Sequence, residues 1–229
     1  MPEKMNVITI DGPSGVGKST ISRKVAQTLG YRYLDTGAMY RAVGLYLIEK
    51  KIDLADDQAV LAALEMVRIE LLPSAGENDD TGVLLNGIDV SAAIRTPEMA
   101  MIASRVSALP LVRAKLTALQ QEIGAEGSVV AEGRDTGTVV FPLARHKFFL
   151  DARPEERAKR RVLQLRARGE AVDEQQILLM TVERDKNDRE REIAPLRQAK
   201  DALAIDTTSK NIDEVAALVL ESVKNVQQG

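Results

Sequence analysis

Residues 12–19, with the sequence GPSGVGKS, constrain the fold of this chain more than any other stretch. They follow a short apolar run, residues 5–10, and precede Ile21, Val25 and Leu29 at helical spacing. A strand, a glycine loop and a helix are therefore predicted. The glycines of the loop allow backbone N–H groups to wrap a phosphate, and the N-terminus of the helix adds positive potential. The eight-residue pattern in this setting is specific for a P-loop.

The residues of this loop are expected to have separate roles. Lys18 is predicted to bridge the β- and γ-phosphates of ATP, and the hydroxyl of Ser19 to ligate a Mg²⁺ ion that arrives on the nucleotide. A dinucleotide fingerprint would need a third glycine where Thr20 stands, which disfavours a Rossmann dehydrogenase. The predicted nucleotide-binding residues are Gly12, Pro13, Ser14, Gly15, Val16, Gly17, Lys18, Ser19 and Thr20.

Four more apolar runs indicate further strands of the same sheet. They are residues 31–34, 129–131, 147–150 and 202–205, and each ends at an acidic residue or a glycine. Helical patterns lie between them, and this alternation is typical of a doubly wound α/β fold with a parallel sheet.

The middle of the chain breaks that rhythm. Residues 68–72, 83–86 and 88–90 are strand-like, and the dipeptide at 86–87, Asn-Gly, favours a hairpin turn. A small antiparallel insert is predicted here, with residues 74–82 as a mobile loop inside it.

Composition excludes several classes of function. The chain has no cysteine and one histidine, His146, so disulfides and clusters of thiolate or imidazole metal ligands are excluded, and His146 is predicted to be structural. A net charge of -3 and 3% aromatic residues disfavour a nucleic-acid surface. No apolar run reaches membrane-spanning length, and the first residues lack a signal-peptide pattern, so a cytoplasmic protein without membrane partners is expected.

A P-loop does not by itself name a reaction, because switches, motors and transporters also use it. The guanine-reading tetrapeptide NKxD has no counterpart, since residues 186–188 have the order KND. A lone DxxG match at residues 79–82 falls in the insert loop. A GTPase is therefore disfavoured. ATP-dependent phosphoryl transfer and a non-catalytic nucleotide switch remain as alternatives.

Arginines are concentrated in a predicted helical pair, residues 154–168 and 173–191. Positioned cations stabilise phosphoryl transfer, and a hinged helical pair can deliver them when it closes. A solvated charged face laced with glutamates is the alternative. Two sets of residues have the spacing of a single helical face: Arg184, Asp188 and Arg191 on the second helix, and Arg157 and Arg161 on the first.

Three further stretches are distinctive: residues 35–41 (DTGAMYR), 132–142 (EGRDTGTVVFP) and 183–189 (ERDKNDR). With the P-loop, they resemble the bacterial cytidylate kinase (CMP kinase) family nearly end to end. The resemblance implies transfer from ATP to CMP or dCMP, giving ADP and CDP or dCDP, by a monomeric enzyme. It also implies a five-stranded sheet of order 2-3-1-4-5, an inserted antiparallel monophosphate-binding lobe and a helical lid.

The resemblance also implies roles for individual residues. It places the acceptor phosphate near Thr36, Arg41 and Arg134, and the sugar near Arg184 and Asp188. Two departures from the common family pattern, Thr36 for serine and Ser19-Thr20 for Gly-Thr, keep a hydroxyl near phosphate. The cytosine is implied near Ser104, Arg113 and Asp135. Together with the P-loop lysine and the arginines of the helical pair, the candidate catalytic residues are Lys18, Arg134, Arg184, Arg157, Arg161 and Arg191.

The chemistry of cytosine fits two of these residue types. The base presents an amino donor beside a ring-nitrogen acceptor, so a carboxylate such as Asp135 and a cation such as Arg113 suit it. Uracil would place a carbonyl against the carboxylate and be rejected. Alternatively, Arg134 and Asp135 form a local ion pair, and Arg113 is the polar face of a helix. Glu132 either holds a Mg²⁺-bound water or caps the next turn. The role of Asp11 is left open between the same alternatives.

The expected domain division follows the family pattern. Residues 1–36, 111–152 and 173–229 form the core, residues 37–110 the monophosphate-binding lobe with the antiparallel insert at 67–95, and residues 153–172 the lid. Within enzymes, the alternative is a kinase of another small acceptor, such as another nucleoside monophosphate or a shikimate-type substrate.

Overall fold

In the computed structural model, residues 5–72, 81–167 and 169–227 are described. They form two compact units: one contains the chain up to Tyr33 and from Gly127 onward, and the other runs from Leu34 to Glu126. The elements in chain order are β1 (Met5–Asp11), α1 (Lys18–Leu29), β2 (Arg32–Asp35), α2 (Thr36–Glu49), α3 (Asp57–Glu65), β3 (Ile69–Leu72), β4 (Gly82–Leu85), β5 (Ile88–Asp89), a 3₁₀ turn (Ala93–Arg95), α4 (Pro97–Val106), α5 (Pro110–Ala125), β6 (Val129–Gly133), a π turn (Thr136–Val140), β7 (Ala144–Asp151), α6 (Pro154–Ala167), α7 (Glu174–Glu190), β8 (Leu203–Asp206) and α8 (Ile212–Gln227).

The main sheet has five strands in the order β2-β6-β1-β7-β8. Strand β1 pairs in parallel with β6 and with β7, and β7 pairs in parallel with β8. Numbered along the chain without the strands of the insert, this order is 2-3-1-4-5, so the predicted sheet is confirmed. Strand β2 contains the boundary between the two units.

The core of the first unit explains why its strands are apolar without alternation. Ile8 and Ile10 of β1 and Val130 of β6 are buried, and they belong to one cluster with Ile21 of α1 and Val219 of α8. A sheet that is covered on both faces needs apolar side chains on both. Helix α1 contacts both α8 and β6.

The register of the central strands determines which residues meet at their carboxyl ends. Asp11, the last residue of β1, lies opposite Gly133, the last residue of β6. The glycine loop that follows β1 and the turn that follows β6 therefore start side by side, at the sheet edge where α/β proteins bind ligands.

The second unit contains a three-stranded antiparallel sheet, β3-β4-β5. Asn86 (φ 52°) and Gly87 (φ 80°) join β4 to β5, and both are left-handed, as the favoured two-residue hairpin turn requires. Val83 and Leu85 are buried, whereas alternate residues of β4 are less so. The predicted hairpin is confirmed. Residues 74–80 of the predicted loop, including the first two residues of the DxxG match, and Arg168 lie outside the described residues.

Helix α5 differs from the expected division of the chain. The sequence assigns residues 111–152 to the core, but α5 lies in the second unit, where it contacts α2 and α3. It buries Val112 and Leu116 along one face. Helical spacing identifies the apolar face of a helix without indicating its packing partner, which explains the difference. The segment 153–172 contains α6 and the connection to α7, within the first unit.

Smaller differences concern the ends of elements. Strand β2 covers Arg32–Asp35 instead of residues 31–34, and β7 starts at Ala144, three residues before the predicted run. The π turn after β6 has no counterpart among the predicted elements. Among the described helices, none combines the length and apolar character needed to cross a membrane.

Candidate active site

The glycine loop connects β1 to α1 as the sequence predicts. Gly17 stands at the N-cap of α1 with φ 94°, a left-handed conformation that favours glycine. At Gly12, a Cβ atom would collide with the carbonyl oxygen of Leu150. Glycine is therefore required at Gly12 because another backbone segment lies against it, and at Gly17 because of its dihedral angles.

Lys18 is the first residue of α1 and is buried, with 7% of its surface exposed. Its Nζ atom donates a hydrogen bond to the carbonyl oxygen of Pro13 at 2.6 Å. Burial and the nearby guanidinium groups of Arg134 and Arg184 hold the pKa of Lys18 well below its usual value. A polyanion bound at the loop would favour the charged lysine. Ser19 follows in the same first turn, partly exposed, and Thr20 is exposed.

Arg157 makes a second set of contacts with the glycine loop. Arg157 of α6 is 2% exposed, and its Nη1 atom donates to the carbonyl oxygen of Ser14 at 3.0 Å. Its Nε atom donates to the carbonyl oxygen of Ala152 at 2.9 Å, and both terminal nitrogens pair with the carboxylate of Asp185 on α7. Arg157 therefore ties the loop to both arginine-rich helices.

Arg161, the other predicted catalytic residue of α6, is half-buried one turn after Arg157. Sequence analysis treats the two as a pair on one helical face. The structure gives Arg157 a set of hydrogen bonds to the glycine loop and to α7.

Two ion pairs join the turn after β6 to the end of α7, and each region contributes one arginine and one aspartate. The Nε atom of Arg134 donates to Asp188 Oδ2 at 2.8 Å, and the Nη2 atom of Arg191 donates to Asp135 Oδ1 at 3.2 Å. All four side chains are largely buried. The local Arg134–Asp135 ion pair, considered as an alternative from the sequence, is replaced by pairing of each residue with α7 or its C-cap.

The pKa values of the first pair reflect this arrangement. Although burial opposes ionisation of both groups, Arg134 and Arg184 hold the pKa of Asp188 below its usual value. In the same way, burial opposes the charge of Arg134, but the carboxylates of Asp188 and Glu132 raise its pKa. Both partners are therefore charged at neutral pH.

Helix α7 presents its predicted face to the site. The Nη1 atom of Arg184 donates to Ser14 Oγ in the glycine loop at 3.3 Å, and Asp188 lies one turn further along. Arg191 lies at the C-cap, outside the regular helix, where its Nε atom also donates to the carbonyl oxygen of Ala194 at 2.6 Å. The spacing i, i+4, i+7 correctly indicates that these residues share one side.

Glu132 and Asp11 each have a protein partner. The carboxylate of Glu132 accepts a short hydrogen bond from the hydroxyl of Tyr33. Asp11 accepts hydrogen bonds from the turn after β6. Among the described residues, no group of three or more acidic or histidine side chains could hold a metal ion. The donor chemistry of the loop instead fits a Mg²⁺ ion that binds the Ser19 hydroxyl and the nucleotide phosphates.

In the second unit, Asp35 organises the start of α2. Its Oδ1 atom accepts from the N–H of Ala38 at 2.8 Å and so caps the helix, while Oδ2 pairs with Arg41 Nη2 at 3.1 Å. Thr36, the first residue of α2, is buried. The N-terminus of α2 and the Arg41 guanidinium therefore lie together at this end of the unit, with the charge of Arg41 balanced by Asp35.

Arg113 of α5 is also buried in the second unit. Its Nη1 atom donates to the carbonyl oxygen of Ser107 at 3.1 Å, and its guanidinium carbon lies 5.6 Å from the centre of the Tyr40 ring. Ser104 lies on α4, and its carbonyl oxygen accepts from the hydroxyl of Ser107. Arg113 is therefore not a residue of a solvated helical face, as the alternative from the sequence suggests.

Several partners that organise these side chains are not among the residues predicted from the sequence. Asp185, which binds Arg157, and Asp35, which binds Arg41, both lie in stretches that carry the family resemblance, and that position is the available signal. Thr207, whose hydroxyl donates to the carbonyl oxygen of Val16 at 3.2 Å, has no such signal.

The first unit combines a parallel sheet of order 2-3-1-4-5, a glycine loop that leads into a lysine-bearing helix, and two partly buried arginines close to that lysine. This combination defines a P-loop protein of the nucleotide-dependent kinase class.

Comparison with known proteins identifies the family within this class. The family model described as "Cytidylate kinase" matches residues 8–225. The cytidylate kinase of Syntrophotalea carbinolica is 50% identical over 97% of this chain and 93% of its own length. That of Carboxydothermus hydrogenoformans is 47% identical over 94% of this chain and 96% of its own length. The chain belongs to the cytidylate kinase family.

A solved structure shares the fold at low sequence identity. An uncharacterised protein from Eubacterium ventriosum is 11% identical, with a TM-score of 0.51, over 97% of this chain and 99% of that protein. This likeness concerns the fold alone.

Proposed function

We propose that this protein transfers the γ-phosphoryl group of ATP to CMP or dCMP, giving ADP and CDP or dCDP. The observation that carries the proposal is that two cations meet at the glycine loop: Lys18 Nζ donates to the carbonyl oxygen of Pro13 at 2.6 Å, and Arg184 Nη1 donates to Ser14 Oγ at 3.3 Å. Arg134 also lies near enough to Lys18 to oppose its charge. Arg134 is already paired with Asp188, and an anion of high charge bound at the loop would further stabilise the charges of Lys18 and Arg184. A nucleotide phosphate chain supplies that charge.

In this proposal, the three cations act on the transferring group. Lys18 binds the β- and γ-phosphates, Arg134 binds the acceptor phosphate, and Arg184, which contacts Ser14 of the loop, neutralises charge that spreads over the moving phosphoryl oxygens. Mg²⁺, bound to the phosphates and Ser19, would supply further positive charge. Exclusion of water by the surrounding helices favours transfer over hydrolysis.

Arg157 is assigned a positioning role, in which it orients the loop, because its guanidinium already binds Ser14, Ala152 and Asp185. Arg161 and Arg191 remain the candidates for additional cations on the transferring group. Residues 153–172, which include α6 and Arg161, are proposed as the lid.

Acceptor recognition is proposed for both units. In the second unit, Thr36 and Arg41 bind the phosphate, and Ser104 and Arg113 bind the cytosine. In the first unit, Asp135 accepts from the cytosine amino group, and Arg184 and Asp188 bind the sugar. The burial of Asp135 supports this assignment, because a buried carboxylate rejects the carbonyl oxygen of uracil.

The remaining proposals follow from the family and the composition. We propose a cytoplasmic, monomeric enzyme that acts on small molecules, without nucleic-acid or membrane partners. We also retain the division into a core, a monophosphate-binding lobe and a lid as the functional description of the chain, with α5 moved to the lobe.

The test is a coupled assay of ADP release with Mg-ATP and CMP, dCMP, UMP, AMP or shikimate as acceptor. CMP and dCMP are expected to stimulate release strongly, and Lys18→Met to abolish it, which controls for contaminating kinases. Stimulation by shikimate or AMP instead would favour another acceptor. No stimulation by any acceptor would favour the nucleotide switch. Equal use of UMP and CMP would contradict base recognition by Asp135.

A further inference from the structure

Asp11 lies between the glycine loop and the turn that follows Arg134 and Asp135, both in the first unit. It is the last residue of β1, immediately before the first glycine of the loop, and 4% of its surface is exposed. Its Oδ1 atom accepts from the N–H and the hydroxyl of Thr136 at 2.9 and 2.8 Å, and Oδ2 accepts from the N–H of Gly137 at 2.7 Å. These donors belong to the π turn that directly follows Arg134 and Asp135.

The π turn needs an external acceptor at its start. Its internal hydrogen bonds run from Val139, Val140 and Phe141 back to Asp135 and Thr136, so the first N–H groups have no carbonyl partner within the turn. An aspartate at an N-cap usually accepts from such groups with its own side chain. Among the described residues, Asp135 makes no such bond, although it stands at that position.

Asp11 therefore replaces Asp135 as the cap of the turn, from a distance of 125 residues along the chain. Because Asp11 caps the turn, the carboxylate of Asp135 pairs with Arg191 instead of with the backbone N–H groups of its own turn. We infer that Asp11 is a positioning residue, which holds the turn so that Arg134 and Asp135 face the acceptor nucleotide. The inference rests on the proposed roles of those two residues.

The close packing of the turn against β1 supports this positioning role. A Cβ atom on Gly137 would lie 2.8 Å from Thr9 Oγ1 and 3.3 Å from Asp11 Oδ2, so the backbone of the turn lies directly against β1. A change at Asp11 is therefore expected to move the turn.

The charged form of Asp11 is unfavourable because the side chain is buried. Burial raises its pKa to about 6, and the carboxylate of Asp135 adds to the effect. The carboxylate of Asp11 favours the charged form of Lys18. Both oxygens of the carboxylate accept hydrogen bonds from the turn, which an amide cannot do, so the carboxylate is retained to hold the turn.

The first test compares Asp11→Asn with the wild type in steady-state kinetics. Either orientation of the amide directs its NH2 group at a backbone N–H of the turn, so at least one hydrogen bond is lost. We expect the KM for CMP to rise about tenfold and the preference for CMP over UMP to fall about fivefold, with the KM for ATP changed less than about twofold.

Matched variants separate positioning from general damage. Thr136→Val removes one hydroxyl hydrogen bond and should change the same two quantities by roughly threefold. Asp185→Asn alters another buried carboxylate, on the side of the glycine loop, and should instead change the KM for ATP. Asp213→Asn, on an exposed ion pair with Lys24, should match the wild type.

Hydrogen–deuterium exchange gives a readout that does not depend on activity. Asp11→Asn should accelerate exchange in a peptide that covers residues 134–141 while a peptide from β7 is unchanged. If Asp11→Asn does not fold, Thr136→Val decides the question by both measurements. Unchanged exchange and an unchanged preference for CMP, or an equal rise of both KM values, would overturn the inference. A wild type that fails to use CMP would instead overturn the proposed function.

Discussion

Arg134 and Asp188 form a buried ion pair in which each partner neutralises the other. Removal of one partner from such a pair leaves a charge without compensation, which is worse than the absence of both. The pair also links the turn after β6 to α7, so its loss affects both geometry and stability. The two effects can be measured separately.

We predict that Asp188→Ala lowers the free energy of unfolding by about 3 kcal/mol, because the Arg134 guanidinium then remains buried without its carboxylate. Urea denaturation measures this change, with Asp213→Ala at an exposed ion pair as the control. The variant should also change kcat/KM for CMP and dCMP by different factors. An unchanged ratio would remove Asp188 from the sugar site, and unchanged stability would contradict the ion pair.

Asp11 leads to a prediction about pH. Its pKa is raised from 3.8 in the unfolded chain to about 6 in the fold, so between these values the folded state holds more protons than the unfolded state. The contribution of Asp11 to stability is therefore complete below pH 3.8 and is lost as the pH rises to about 6. The difference corresponds to about 3 kcal/mol.

The measurement compares wild type and Asp11→Asn by urea denaturation from pH 4 to pH 7. The stability of the wild type relative to the variant should decrease across this window, since the variant has no proton to lose at this position. Parallel pH profiles for the two proteins would show that Asp11 has an ordinary pKa in the fold.

At the scale of elements, α6 and α7 are connected to each other and to the glycine loop through Arg157 and Asp185. A second ion pair between the end of α6 and the start of α7, Arg166 with Glu174, is exposed. The connection at Arg157 restricts motion near the loop, so closure of a lid would involve the distal parts of the two helices.

We predict strong coupling between Arg157 and Asp185 and weak coupling between Arg166 and Glu174. Arg157→Met and Asp185→Asn should each cost about 3 kcal/mol of stability, and the double variant should cost less than their sum by about 1–3 kcal/mol. The cycle of Arg166→Met and Glu174→Gln should give a coupling of at most about 0.5 kcal/mol. Equal coupling in the two cycles would contradict the assigned burial of Arg157.

At the scale of the whole molecule, the net charge of -3 does not attract anions. Affinity for a phosphate chain therefore depends on the local cations near Lys18. A ligand that binds the folded state stabilises it according to its concentration relative to its dissociation constant. Inorganic tripolyphosphate tests this local site without any contribution from a base or sugar.

We predict that tripolyphosphate at about 100 times its Kd raises the free energy of unfolding by about 2.7 kcal/mol, with a corresponding rise in Tm. Lys18→Met should lose most of this stabilisation. Lys24→Met, which removes an exposed lysine from the same helix, should keep it. A similar loss in both variants would indicate a general charge effect instead of a site at the glycine loop.

Particular elements show how far the sequence predicts the molecule. The glycine loop, the hairpin turn at Asn86 and the common face of Arg184 and Asp188 depend on residues that are close in the chain, and all three are confirmed as structural predictions. The packing of α5 is different, because its apolar face fits more than one neighbour. The sequence assigns this helix to the core, whereas its residues lie in the second unit.

The P-loop and, through three motifs, the family follow from the order of residues alone, because glycine conformation, helix termini and motif spacing are properties of contiguous residues. Only the tertiary structure decides which charges meet. Arg134 finds Asp188 54 residues away, Arg157 finds Asp185 28 residues away, and Asp11 finds Thr136 125 residues away. Strand order and helix packing bring these residues together, and burial then makes each pairing matter, since a buried charge must have a partner.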